Sequence, residues 1–180
     1  MADLDLGEYI LAMAAQINNY ANPDYQKTAG AGTLTGGGLS FLLDFGTLTA
    51  GSASVSATLR RVNDVLGPAD LLQGLFDLSG LDDFTASGFV AFADLGAGDF
   101  LADLEISLSP LLAGVYEDTI VLKALGYNAS GYSADFDDIL LPVRANVRAG
   151  GQVPEPATLM LLTIALAGML LVRRRGRVMH

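Results

Sequence analysis

The 180-residue sequence contains no cysteine, no tryptophan and a single histidine, His180, its last residue. Without thiols there is no disulfide framework, no thiolate metal site and no cysteine nucleophile. Without histidine in the body there is no Ser-His-Asp relay, no imidazole general base and no ordinary histidine-ligated zinc. Paired carboxylates alone do not make a glycosidase, and no Trp is present to line a sugar-cleaving cleft. The sequence therefore predicts a protein that is not an enzyme and asks for no cofactor.

Positive charge is also scarce. Ten Lys and Arg stand against twenty Asp and Glu, and no Lys or Arg precedes Lys27. Four of the ten, Arg173, Arg174, Arg175 and Arg177, follow the last apolar run. Residues 1–172 thus hold six basic and twenty acidic side chains, a net charge of −14. Such a body repels phosphate backbones, and no basic patch interleaved with aromatics precedes the tail, so nucleic acid is not an expected partner. Scattered Asp keeps an exported domain solvated.

What is present is apolar material, 51% of the residues, enough for one core of ordinary domain size. Short runs rich in Val, Leu, Ile, Phe and Thr recur at Leu39–Phe45, Ala53–Val62, Phe84–Ala93, Leu101–Leu108, Tyr116–Ala124 and Ile139–Val147. Each has strand length. Val55, Ala57 and Leu59 alternate with Ser54, Ser56 and Thr58, and Leu104, Ile106 and Leu108 alternate with Glu105, Ser107 and Ser109. A period of two predicts half-buried antiparallel strands. Turn signals such as Gly67-Pro68, Ser79-Gly80 and Ser130-Gly131 fall between the runs at spacings that suit a Greek-key sandwich. Asp70–Leu78 reads as the one helical stretch, and residues 16–38, polar and Gly-rich, read as punctuation.

The C-terminus has a different grammar. Ala157 to Val172 is a run of sixteen uncharged residues, preceded by Val153-Pro154-Glu155-Pro156 and followed by the arginines. As a helix it would span roughly 24 Å, short for a hydrocarbon core of about 30 Å, a gap that snorkelling arginines or local thinning can close. The arginines are expected to stop transfer and stay cytoplasmic, with residues 1–152 outside. Each proline lacks an N–H and biases its predecessor toward extended backbone, which predicts an exposed strip beside the membrane.

The segment VPEPATLMLLTIALAGMLLVRRR resembles the PEP-CTERM sorting signal, with its Pro-Glu-Pro box, short transmembrane helix and terminal arginines. The resemblance implies a bacterial protein whose partner is an exosortase that cuts near Val153–Pro156. It further implies a precursor in the inner membrane, a product in the cell envelope or at the extracellular surface, and association with exopolysaccharide. The start departs from that pattern. Asp3, Asp5 and Glu8 stand where a secretion signal places basic residues, and the apolar stretch Tyr9–Ala15 is at the lower limit for such a signal. The expectation is a truncated or wrongly assigned start, with a signal peptide missing. A tail-anchored protein with a cytoplasmic body would place the arginines against the positive-inside bias.

The order of pieces in the body loosely resembles an immunoglobulin-like domain of the choice-of-anchor kind. The shared parts are Asp44-Phe45-Gly46, Gly51-Ser52 before the second strand, and the A-G-x-Y-x-D-T-I hairpin at Ala113–Ile120. The expected architecture is an all-β, immunoglobulin-like antiparallel β-sandwich followed by a single C-terminal transmembrane helix. Residues 1–38 form an N-terminal segment, a remnant of a truncated region. Residues 39–148 form the sandwich, 149–152 a linker, and 153–180 the sorting signal, with the helix at 157–172 and the Arg-rich tail at 173–177.

Few groups in the body suggest chemistry. The acidic groups Asp82-Asp83, Asp94 with Asp99 and Asp103, and Asp135 with Asp137-Asp138 offer the oxygen ligands Ca²⁺ takes, but none has the spaced loop with a distal Glu. Solvated turns explain them better, with Asp135, Asp137 and Asp138 kept as weak metal candidates. Gly36-Gly37-Gly38 lacks the Lys of a phosphate loop and reads as a hairpin turn, and Asn128-Ala129-Ser130 as a polar hairpin loop. Tyr116, Tyr127, Tyr132 and Phe136 crowd one hairpin, as core and a corner tyrosine or as a ligand face. The function expected is a non-catalytic surface or matrix protein. The competing class is a single-pass membrane-anchored adhesin or a carbohydrate- or calcium-binding module.

Overall fold

The computed structural model describes residues 17–150, and eleven strands account for its regular structure. They are β1 (Pro23–Gly30), β2 (Thr33–Gly37), β3 (Ser40–Thr49), β4 (Val55–Asn63), β5 (Leu71–Asp77), β6 (Thr85–Ser87), β7 (Phe92–Leu95), β8 (Phe100–Leu108), β9 (Gly114–Tyr127), β10 (Ser133–Asp135) and β11 (Ile139–Arg148). One sheet runs β1-β4-β8-β6; the other runs β2-β3-β11-β9-β5-β7, with β10 pairing β9 beside β11. Neighbours are antiparallel apart from β11 and β3, which are parallel. The compact unit that holds these strands ends at Arg148. The tail run 157–172 expected to be helical lies outside the described residues.

The period-two reading is what places the core. Ala57 and Leu59 of β4, Leu104 and Ile106 of β8, Ile120 and Leu122 of β9, and Leu141 and Val143 of β11 have no solvent exposure, while residues between them face outward. Burying each large side chain stabilises the fold by roughly 1.5–3 kcal/mol. Aromatic pairs join the two layers. Tyr25 of β1 meets Phe41 of β3 edge-on at 5.1 Å, and Phe45 of β3 stacks on Phe84, just before β6, at 5.8 Å.

The first sheet also buries a charge. Arg61 of β4 is fully buried, with its guanidinium 4.5 Å above the Tyr25 ring, and neither its nitrogens nor the Tyr25 hydroxyl has a hydrogen-bond partner among the described residues. Burial pulls the Arg61 pKa down to about 10 and pushes the Tyr25 hydroxyl well above the ordinary tyrosine value. Arg61 therefore remains a cation at neutral pH, compensated by the Tyr25 ring face and by the charge of Asp24.

Several expectations are corrected. Residues 16–38 contain β1 and β2, each paired in a sheet, so much of this polar segment builds the sandwich. The reason is a corner: β1 belongs to one sheet and β2 to the other, and the chain turns between them at Gly30. Gly30 has φ +82°, and a Cβ there would lie 2.2 Å from the Ser56 carbonyl oxygen, so the turn needs glycine. Asp70–Leu78, expected helical, holds β5, paired with β9 on one side and β7 on the other. Its leucines satisfy both periods, and Gly74 settles the matter locally. It costs a helix stability, and here it faces Ala124, where a Cβ would come within 2.8 Å of Leu122 Cδ1. Phe84–Ala93 is not one strand: it breaks into β6 and β7, which belong to different sheets.

Candidate functional site

Two of the three shared parts of the body resemblance, Asp44-Phe45-Gly46 and Ala113–Ile120, turn out to be joints. Asp44-Phe45-Gly46 is a bulge in β3, where the register against β11 slips between Arg144 and Asn146. Gly46 supplies φ +71° and donates its N–H to Asp44 Oδ1 at 2.7 Å. The other Asp44 oxygen accepts from Arg144 at 2.8 Å, and these bonds hold the Asp44 carboxyl below the usual range. Ala113–Ile120, expected as a hairpin, is instead the entry into the single strand β9, because β8 before it belongs to the other sheet. There the Tyr116 hydroxyl donates to the Leu112 carbonyl at 2.8 Å, the geometry of a tyrosine corner. Asp118, largely buried, accepts three backbone N–H groups through Oδ2, from Asp82 at 3.1 Å, Asp83 at 2.9 Å and Phe84 at 2.8 Å.

That clasp explains one acidic group: Asp82 and Asp83 form the turn that Asp118 holds. Asp94, with φ +57°, hydrogen-bonds the Tyr127 hydroxyl, and Asp99 closes a turn onto Gly96. Asp135 lies on β10, with Asp137 and Asp138 in the link to β11, all exposed. Asp135 and Asp138 line a groove of about 600 Å³ that Lys123 also lines. Among the described residues no three acidic or histidine side chains converge as a set that could hold a metal. The Gly36-Gly37-Gly38 turn joins β2 to β3 as a hairpin, and Asn128 Oδ1 accepts the Ser130 N–H at 3.0 Å within the β9–β10 loop.

The tyrosine cluster divides. Tyr116 is the corner, Phe136 packs against the core, and Tyr127 is tied to Asp94. Tyr132 instead meets Tyr20, a residue the sequence reading did not single out, with ring centroids 5.7 Å apart and planes tilted by 42°. Tyr20 is 70% exposed and Tyr132 38%. Beside them Asp70, 97% buried, accepts from Asn128 Nδ2 at 2.7 Å through Oδ1. These residues line a cleft of about 360 Å³ at the Tyr127 end of β9. The sequence signal that could have found it is Asn18-Asn19-Tyr20, a polar-aromatic triplet whose Asn19 bridges Ala69 and so sets Tyr20 next to Asp70.

The sorting residues Val153, Pro154, Glu155 and Pro156 and the stop-transfer residues Arg173, Arg174, Arg175 and Arg177 lie outside the described residues. Residues 152–175 match the family model of the PEP-CTERM protein-sorting motif, a span that holds Val153–Pro156 and Arg173–Arg175 and ends before Arg177. The chain carries an exosortase sorting signal. A motif of this kind implies an exosortase as processing partner and sorting to the surface. None of the curated proteins matches the chain.

Among solved structures, the chain is similar to PapD-like domain 7 of human CEP192 (10% identity, 83% of this chain and 99% of that one, TM-score 0.45). It is similar to the VesB protease of Vibrio cholerae over 58% of this chain and 30% of that one (19% identity, TM-score 0.43). It is also similar to AggA, the major subunit of aggregative adherence fimbriae type I of Escherichia coli (13% identity, 75% and 100% coverage, TM-score 0.36). None of these likenesses carries over a function.

Proposed function

We propose that the β-sandwich is non-catalytic cargo that an exosortase delivers to the cell envelope or extracellular matrix, where it associates with exopolysaccharide. The observation that carries the reading is the sorting motif across residues 152–175. In this reading the 157–172 run crosses the inner membrane, the arginines hold its end in the cytoplasm, and cleavage near Val153–Pro156 frees the body. The absence of histidine and cysteine from the body supports the non-catalytic part.

The test is intact mass and cell fractionation of the protein from its native envelope, against a Pro154→Ala, Glu155→Ala, Pro156→Ala variant. A cut near Val153–Pro156 that the variant abolishes is the expected result. An uncut membrane species in both would reduce the tail to a plain anchor, leaving the membrane-anchored adhesin as the reading. For the matrix part, the processed body is expected to co-sediment with polysaccharide extracted from the same cells.

A further inference from the structure

Two phenol rings on the surface of an acidic β-sandwich need a reason. At 5.7 Å and a 42° tilt the rings of Tyr20 and Tyr132 touch each other, so nothing fits between them; they present a joint apolar platform. Tyr20 exposes 70% of its surface, and several aliphatic side chains such as Ile17 and Leu66 are as open; what sets the tyrosines apart is that the two rings lie in contact beside a polar cleft. Among the described residues neither hydroxyl has a hydrogen-bond partner, whereas Tyr116 and Tyr127 both have one.

The floor of the cleft is polar and held in place. Asp70 is 97% buried and fixed from several sides: its N–H donates to Asn19 O at 2.9 Å, its carbonyl accepts from Asn63 Nδ2 at 3.1 Å, and its Oδ1 accepts from Asn128. Its Oδ2 carries no hydrogen bond among the described residues and is not sealed from solvent. Asn128 is locked in turn by Ser130, whose N–H and hydroxyl both donate to Asn128 Oδ1, at 3.0 and 2.5 Å. Partial desolvation, with Tyr20 and Asp70 beside it, raises the Tyr132 hydroxyl above the ordinary tyrosine value, so it stays a neutral donor.

We propose that this cleft, formed by Tyr20, Tyr132, Asp70, Asn128 and Ser130, binds a segment of a neutral saccharide. A sugar ring has an apolar C–H face for the tyrosine platform and equatorial hydroxyls that donate to a carboxylate oxygen and accept from a phenol. The cleft, at about 360 Å³, lies at the small end of the roughly 300–1,000 Å³ usual for small-molecule sites, suited to a short stretch of a longer chain that continues into solvent. Charge selects within the class. Residues 17–150 carry six basic and sixteen acidic side chains, and Asp70 sits in the cleft itself, so uronic-acid and sulfated chains are repelled. Preordered Asp70 and Asn128 reduce the ordering cost of binding.

The inference rests on the matrix-association reading and gives it a site. It is tested on the full-length chain in detergent, titrated with hexasaccharides of glucan, mannan and galactan and with an oligogalacturonate. Titration calorimetry and tyrosine emission, which no tryptophan masks here, both serve as readouts. The expected result is binding of at least one neutral hexasaccharide, weakened about ten-fold or more by Tyr20→Ala and by Tyr132→Ala. Tyr20→Phe, which keeps the platform, retains most of the binding, and the thermal midpoint of Tyr20→Ala is unchanged. Absence of binding to every neutral chain, binding of the acidic chain alone, or equal binding by wild type and both alanine variants would overturn the proposal. Co-sedimentation with native polysaccharide separates the two readings. If wild type and Tyr20→Ala sediment alike, matrix association stands and the cleft is not its site; if the hexasaccharide binds but nothing sediments, the cleft stands without the matrix role.

Discussion

At the Gly114 end of β9, Tyr116 and Asp118 direct their polar atoms into the protein's own backbone, whereas at the Tyr127 end the hairpin through Asn128 and Tyr132 leaves two phenol rings facing solvent. The same strand thus carries a clasp at one end and an open platform at the other. The difference lies in what the polar atoms satisfy. A carboxylate that accepts three backbone N–H groups replaces water the turn has lost, so its removal leaves three donors, the buried Phe84 N–H among them, without their acceptor. An exposed aromatic pair replaces nothing and gains only its mutual contact.

The sharpest way to break that contrast is Asp118→Ala. It leaves the N–H groups of Asp82, Asp83 and Phe84 without their acceptor, and we expect a loss of about 3 kcal/mol or more in urea unfolding. A loss under about 1 kcal/mol would mean that water replaces the clasp at little cost. Tyr116→Phe deletes the corner bond to Leu112 while keeping the ring, for a loss of about 1 kcal/mol in the same assay. At the other end Tyr20→Ala is expected to change stability by no more than about 0.5 kcal/mol, since the side chain is largely exposed. A large loss there would turn the platform into a structural cap.

The smallest effect concerns the Asp44–Arg144 pair, which sits on the surface. The Asp44 carboxyl is held below its ordinary value of 3.8 by Arg144 and by the Gly46 N–H. A group whose folded pKa is depressed contributes stability that is fully present above its unfolded value and is lost as pH falls through the folded one. The difference in unfolding stability between wild type and Asp44→Asn should therefore be small at neutral pH, shrink as pH falls below 3.8, and diminish in high salt. A difference that grows on acidification would place the role of Asp44 elsewhere.

The sequence by itself determined the sorting segment and the strands whose alternation is clean. The tail's properties are local, an uncharged run between prolines and arginines, and a family model matches them without any fold. Val55, Ala57 and Leu59, or Leu104, Ile106 and Leu108, announce their face because a pleated strand repeats every two residues. Residues whose pattern served two periods or none were decided by tertiary structure. The leucines of Asp70–Leu78 suit a helix until β9 and β7 take β5 as their neighbour, and the Gly-rich stretch before Leu39 becomes strand because two sheets need a corner at Gly30. The cleft was illegible for the same reason. Tyr20, Asp70 and Tyr132 lie far apart in the chain, and only the bridge of Asn19 to Ala69 and the β9–β10 hairpin bring their rings and carboxylate together.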